Sequence, residues 1–391
     1  MALPSVTFNI NQSGLGRALP GEDHISGLVS YAGSLPSGFG TDREKVVFSL
    51  QEAEALGITE GSADFDHLWY QIREYFRIQA SGVLYLSINA VPSGSYTFDE
   101  VSTLQNFAEG KIRQVAVLSP KAGVNTTDIA TLAAICRTLE SENMPLVSLI
   151  SFDISGTSDL SSLPDLRQST TDNHVSVVIG QDGGAKGKAL YDSKSVSIPC
   201  LGAVLGAVSL AAVNESIGWV SKFKLSETEL DTIAFGNGDT YISKSQSFLT
   251  SLDAKGYIFL LKHTGISGSY LNGSHTAISS VSDLSTIEKN RVIQKAVRTV
   301  RVYLLGELNA PVKIDSSSGK LSLSYITYLE ALGAQALNAM EAEDEISGYE
   351  VLIDPDQNVL STDEVEVTIR KVPTGVSRTI TVNIGFTNSI S

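Results

Sequence analysis

The sequence predicts a mixed α+β and α/β fold: an outer α/β region on a mostly parallel sheet, then a region of long helices and terminal β-strands, with extended arms at both ends. Three observations predict it. Between Ile25 and Ile179 strand-like and helix-like stretches alternate, which implies a covered parallel sheet. From Leu284 onward the apolar residues recur at helical spacing over long runs. The chain then closes on two stretches in which every second residue is apolar. With 391 residues, 42% of them hydrophobic and 18% charged, the chain is globular and long enough for two domains.

Residues 1–24 read as an N-terminal arm. Val6, Thr7, Phe8, Asn9 and Ile10 alternate for one short strand, and turn-formers follow, so no hairpin partner lies nearby. Such a strand must find an edge elsewhere, in its own sheet or in another molecule. Strands are predicted over Ile25–Tyr31, Val46–Phe48, Val83–Ile88, Val115–Leu118, Leu146–Phe152 and Val175–Ile179. Helices are predicted over Gln51–Leu56, Phe65–Ile78, Phe98–Glu109 and Thr127–Glu142. Val196–Val213 is apolar and rich in small residues, but beyond Pro199 it is too short to cross a bilayer, so it reads as a closely packed buried helix. A polar connection over 225–250 ends in a helix near Lys244–Leu252, Gly256–Leu261 reads as a buried strand, and His263–Ser280 as a loop.

Ser285-Thr286-Ile287-Glu288 has the form of a capping box and opens a helix to Leu305. Ile293, Ala296, Val297, Val300 and Leu304 mark a buried face on it, and Arg291, Lys295, Arg298 and Arg301 a basic stripe on another. That stripe is either a solvated face or an ion-pair surface toward a neighbouring subunit. A second helix runs from Leu323 to Glu345 and ends in the acidic run Glu341-Ala342-Glu343-Asp344-Glu345, unfavourable beside its own negative pole. Val365, Val367 and Ile369 line one face of a strand, and Ile380, Val382, Ile384 and Phe386 one face of a last strand that begins near Arg378. The organisation is 1–24 arm, 25–255 outer α/β region, 256–371 C-terminal domain, 372–391 terminal strand or arm.

Few chemistries fit. A net charge of −15 argues against nucleic-acid binding, which needs a basic face. The two cysteines, Cys136 and Cys200, sit in apolar patterns, read as buried thiols and fit a reducing compartment. Met1–Ser5 lacks the basic start and apolar core of a signal peptide. The loop Gly180–Lys188 follows a strand, where a phosphorylated small ligand would bind, but Asp182 stands five before Gly187 and Ala189 follows Lys188, so it is no P-loop. The five histidines show no metal spacing, and no nucleophile elbow is present. No catalytic, metal or cofactor site is predicted.

The C-terminal segment resembles contractile tail sheath proteins. The resemblance rests on Ser282-Asp283, Glu288-Lys289-Asn290-Arg291-Val292-Ile293, Lys295-Ala296, Arg298, Leu304-Leu305, Leu308-Asn309-Ala310-Pro311-Val312 and the turn Val372-Pro373-Thr374-Gly375 between strands. Weaker echoes are Ser34–Phe39, Glu52–Ile58, Val178–Asp182 and Glu215–Val220, most similar to the compact sheath family of phage-like elements. The resemblance implies a non-enzymatic subunit that polymerises in stacked six-fold rings around an inner tube and contracts to drive it through a target envelope. It implies partners in itself, the tube, baseplate and tail terminator proteins, with no nucleic acid and no stable membrane insertion. Assembly would take place in the bacterial cytoplasm, into a phage tail or phage-like particle. By resemblance, Val6–Ile10 is the N-arm and Arg378–Phe386 the C-arm; both enter sheets of neighbouring subunits, and Val365, Val367 and Ile369 form a receiving strand. A local hairpin between the last two strands is the alternative. Glu341, Glu343, Asp344 and Glu345 become candidate tube contacts. An α/β enzyme using the Gly180–Lys188 loop, and a tube or baseplate protein, are the competing readings.

Overall fold

The computed structural model describes residues 23–382 and 384–386. In chain order the first strands and helices are β1 (Ile25–Tyr31), β2 (Glu44–Val47), α1 (Leu50–Ala55), α2 (Asp66–Ile78), β3 (Val83–Asn89), α3 (Asp99–Phe107), β4 (Gln114–Ala122), α4 (Thr126–Ser141), β5 (Val147–Asp153), α5 (Leu166–Ser169) and β6 (Val175–Val178). There follow β7 (Gly180–Asp182), α6 (Lys186–Lys194), α7 (Leu201–Leu210), β8 (Ile233–Phe235), α8 (Gln246–Ala254), β9 (Tyr257–Ile258), β10 (Leu260–Leu261) and β11 (Tyr270–Leu271). The remainder is α9 (Ile287–Leu304), α10 (Leu323–Ala342), β12 (Ile346–Leu352), α11 (Val359–Thr362) and β13 (Thr368–Pro373).

The predicted parallel sheet is present. Its seven strands run in the order β2-β3-β1-β4-β5-β6-β9, all parallel except the β2–β3 edge. Strand alternation sends Leu28, Ala116 and Leu149 into one core with α2 and α7, while Val29, Val117 and Ile150 enter the other with α3 and α4. Each fully buried Val, Leu or Ile side chain among them contributes about 1.5–3 kcal/mol. Tyr257–Ile258 is the far edge of this sheet, so the chain is still in the α/β body after the boundary drawn at 255.

α7 is the small-residue run, and its composition has a packing cause. The Cβ that Gly202 lacks would fall 2.0 Å from the Gln71 carbonyl oxygen of α2, so only glycine lets the two helices approach this closely. Among the described residues no helix is long and apolar enough to cross a membrane.

In the C-terminal region α9 and α10 pack on the β12–β13 pair through Val292, Ala296, Leu337, Met340 and Ile346. The capping box does not form: Thr286 is the N-cap without a side-chain bond, and the Glu288 carboxylate instead accepts from the Ser274 hydroxyl at 2.5 Å. α10 stops at Ala342, and Ile346 opens β12, a strand the sequence reading did not assign.

Candidate interaction site

The orientation of α9 decides which surfaces are available, and it differs from the sequence expectation on the basic side. Its polar side is turned into the protein. Arg291 is 3% exposed and donates to the carbonyls of Ala211, Ala212 and Asp23 at 3.1, 3.2 and 3.2 Å. Arg298 meets the Asp23 carboxylate at 2.9 Å, and Lys295 reaches it at 3.3 Å and Glu345 at 2.5 Å. Gln294 donates to the Leu146 carbonyl at 3.1 Å. Burial pushes the Asp23 carboxyl up, but Lys295, Arg298 and Arg291 outweigh it and hold the group below its usual range.

Two expectations are corrected here. Arg291, Lys295 and Arg298 fasten α9 to the α/β body of their own chain; they do not form a stripe toward a neighbour. Arg301 alone of the four is exposed. Glu345 is 5% exposed and paired with Lys295, so it is withdrawn as a tube contact, while Glu341, Glu343 and Asp344 lie on the surface. The physical reason is common to both: buried charges require partners, and this acidic chain supplies them internally.

The apolar face of α9 is only partly covered. Ile293, Val297, Val300 and Leu304, with Leu308 and Ile369, line a groove of about 730 Å³. Val297 is 45% and Leu308 69% exposed. Arg301 and Lys371 are the cations along it. Lys371 donates to the Val292 carbonyl at 3.0 Å, and burial pushes its amine down to about 8.

β13 borders this groove through Ile369 and Lys371 and is paired antiparallel with β12. No further strand joins this pair among the described residues. The receiving strand was expected over Val365, Val367 and Ile369; only Ile369 lies in β13, while Val365 and Val367 precede it and pack against the cluster of Leu321, Ile326, Leu329, Ile353 and Val359. The chain after Pro373 forms no strand among the described residues, and no ladder joins it to β13 as a hairpin. There Ile380, Val382, Ile384 and Phe386 are 80%, 70%, 92% and 111% exposed. Arg378 is tied to the body, meeting Asp253 at 3.2 Å and the Asn272 carbonyl at 3.3 Å. The N-arm residues Val6–Ile10 lie outside the described residues.

The Gly180–Lys188 loop carries its own anion. The fully buried Asp182 carboxylate accepts from the amides of Ala185, Lys188 and Leu230 at 2.8, 3.2 and 3.1 Å, and Glu229 accepts from the Lys186 amide at 3.0 Å. The N–H groups that would cradle a phosphate are therefore occupied. Among the described residues no cluster of His, Cys, Asp and Glu is arranged to hold a metal. Both cysteines are buried, and burial pushes their thiols up to about 12. His67 is partly buried and pushed down to about 4 by desolvation.

Sequence reasoning missed β12, although the run Tyr349-Glu350-Val351-Leu352-Ile353 is rich in strand formers. It also missed Asp23, which carries no local signal because its partners lie far along the chain.

Comparison with known proteins covers the whole chain. The model described as DUF2586, N-terminal domain, matches residues 3–275, and that of DUF2586, C-terminal domain, matches 283–391. No curated protein matches the sequence. Among solved structures, a chain of the anti-feeding prophage (AFP) baseplate, 6-fold symmetrised, superposes with TM-score 0.63 at 14% identity, covering 100% of both chains. A chain of an extracellular contractile injection system, the PVC sheath complex in its contracted state, gives TM-score 0.59 at 12% identity, covering 100% of this chain and 98% of that one. At such identities the likeness establishes a shared fold.

Proposed function

The chain belongs to the DUF2586 family, and from that premise we propose that it is a structural subunit of a contractile injection machine, specifically its tail sheath. The observation that carries the reading is an apolar segment left exposed, together with an open apolar groove bordered by β13, in a fold shared end to end with a chain of a contracted sheath complex. A long alternating apolar edge in one molecule invites aggregation unless another molecule completes it. Residues 378–386 of one copy would add to the edge of β13 in the next, backbone bonds supplying affinity and the groove accepting alternate side chains. The N-terminal residues Val6–Ile10 would supply a further strand. Repeated around rings, such weak links act together and set register.

The subunit would need no fuel site. Contraction would repack rigid domains on flexible connectors, and its work would come from the free-energy difference between two packings fixed at assembly. The enzyme reading has lost its site, since Asp182 fills the loop that would have held the ligand. A second reading is that this copy of the fold serves in a baseplate, favoured by the likeness to a chain of the AFP baseplate. In either case the inner tube is a partner, and Glu341, Glu343 and Asp344 remain candidate contacts to it. Assembly in the bacterial cytoplasm, in six-fold rings, follows from the sheath reading.

Electron microscopy of the purified protein tests it. A sheath subunit concentrated alone forms hollow tubes of stacked rings; discrete particles at all concentrations would remove the sheath reading, and closed single rings would favour the baseplate. Removing residues 1–12 is expected to stop polymerisation without lowering Tm.

A further inference from the structure

We propose that Asp253, Asn272 and His275 form an arginine-receiving pocket that stores the C-terminal segment on the free subunit, holding Arg378 until another copy takes the segment up. The inference rests on the sheath reading for the segment's destination, but its first half concerns the monomer alone.

The pocket's own groups also hold one another. The Asp253 carboxylate accepts from the Asn272 side-chain amide at 2.8 Å and lies 2.8 Å from Nε2 of His275. His275 is 1% exposed, and its Nδ1 meets the Arg167 guanidinium at 2.8 Å. Asn272 is itself fixed, since its side chain accepts from the Phe259 amide at 2.8 Å. Arg378 then adds one nitrogen, Nη2, at 3.2 and 3.3 Å from the two Asp253 oxygens and 3.3 Å from the Asn272 carbonyl. Gly273 leaves room for the His275 ring: a Cβ there would lie 3.0 and 3.1 Å from its Cε1 and Nε2.

Two features make this a store and not a permanent joint. First, Asp253 keeps its bonds to His275 and Asn272 when Arg378 leaves, so release strands no buried charge. Arg378 is also the second guanidinium at this cluster, after Arg167, and its own side chain is half exposed. Second, Arg378 supplies the segment's hydrogen bonds to the body among the described residues, and Ile380, Val382, Ile384 and Phe386 beyond it are exposed. One weak, solvent-screened pair therefore positions the whole apolar segment, and exposed pairs of this kind shift an equilibrium by only about two- to fivefold.

The test uses the full chain, kept dilute enough to stay monomeric, with spin labels at Ser247→Cys and, next to the anchor, Thr379→Cys; the native thiols are buried. The stored segment gives a narrow distance distribution, and Arg378→Gln broadens it. Asp253→Asn, which alters only the receiving side, broadens it equally, and the double variant adds nothing further. On concentration, Asp253→Asn shortens the polymerisation lag about two- to fivefold. An unchanged distribution in both single variants would overturn the store itself. A broadened distribution with an unchanged or longer lag in Asp253→Asn would overturn its inhibitory role. If the wild type never polymerises, the sheath reading and the inhibitory role fail together, while the distance measurement still decides whether Arg378 fastens the segment.

Discussion

Arg291 shows how a charge in this protein is decided by its surroundings. Its guanidinium is buried against three carbonyls, those of Ala211, Ala212 and Asp23, with the Asp23 carboxylate nearby. Replacing it by alanine leaves those acceptors unsatisfied and a part-buried carboxylate short of one cation. Arg291→Ala is expected to cost about 3 kcal/mol, read as a lower urea midpoint with unchanged slope. Lys371 is the opposite case, a cation facing an apolar groove with a carbonyl as acceptor. Its folded pKa of about 8 lies below the ordinary 10.5, so between these values the unfolded chain binds more protons and stability rises with pH. The penalty is fully present below pH 8. Lys371→Met is therefore expected to raise Tm at pH 7, with the gain fading from pH 8 to 10.5; a gain independent of pH would show that the ammonium is not desolvated. Asp253 titrates at the acid end. Burial raises its carboxyl, but His275, Arg378 and Asn272 together bring it to about 2, below the ordinary 3.8. Its contribution is present above pH 3.8 and is lost as pH falls toward 2.

At the scale of elements, packing and not propensity separates what the sequence disclosed from what it concealed. The strand–helix alternation of the α/β body was legible because each element carries its own period, and both faces of the sheet are covered. α7 was legible as a buried helix for the same reason, and it yields a sharp prediction. Gly202→Ala places a methyl 2.0 Å from a backbone oxygen of α2, which no rotamer can relieve, so a loss of about 3 kcal/mol or more is expected. Gly94→Ala, with nothing within 4 Å of its added methyl, is the control and stays neutral in the same urea titration. α9 was half legible: Ala296 is buried and Val300 and Leu304 are partly covered as its period predicts, but the cations of its basic side are turned inward as well. Helical periodicity identifies two faces without saying which one meets the protein. Here Asp23, Glu345 and the 211–212 carbonyls attract the cationic face inward, and those partners lie up to 275 residues away in sequence. The terminal stretch Ile380 to Phe386 carries strand alternation, but it joins no ladder within the described chain. Its period is local, and its partner is not.

For the whole molecule, the question is whether the exposed C-terminal segment is a loose end or an unfinished contact. The chain carries a net charge of −15, which keeps monomers apart until a specific contact overcomes the repulsion. That contact would have to be apolar and repeated, and the segment offers four large side chains, each about 1.5–3 kcal/mol if fully buried. In the monomer Ile380 and Ile384 are 80% and 92% exposed, so replacing both by aspartate removes no packing from the chain itself. The double variant Ile380→Asp with Ile384→Asp is therefore expected to keep the wild-type Tm, within the small range typical of surface changes. The same variant should fail to polymerise at any concentration at which the wild type does, because two buried carboxylates per interface would replace the apolar contacts. Mixed with wild type, it should cap growing polymers and shorten them, since its β13 edge and groove remain intact while its segment cannot continue the lattice. Differential scanning calorimetry and electron microscopy on the same preparations separate the outcomes. A lowered Tm would mean that the segment packs on its own body, and normal polymers would mean that the lattice is built from other surfaces.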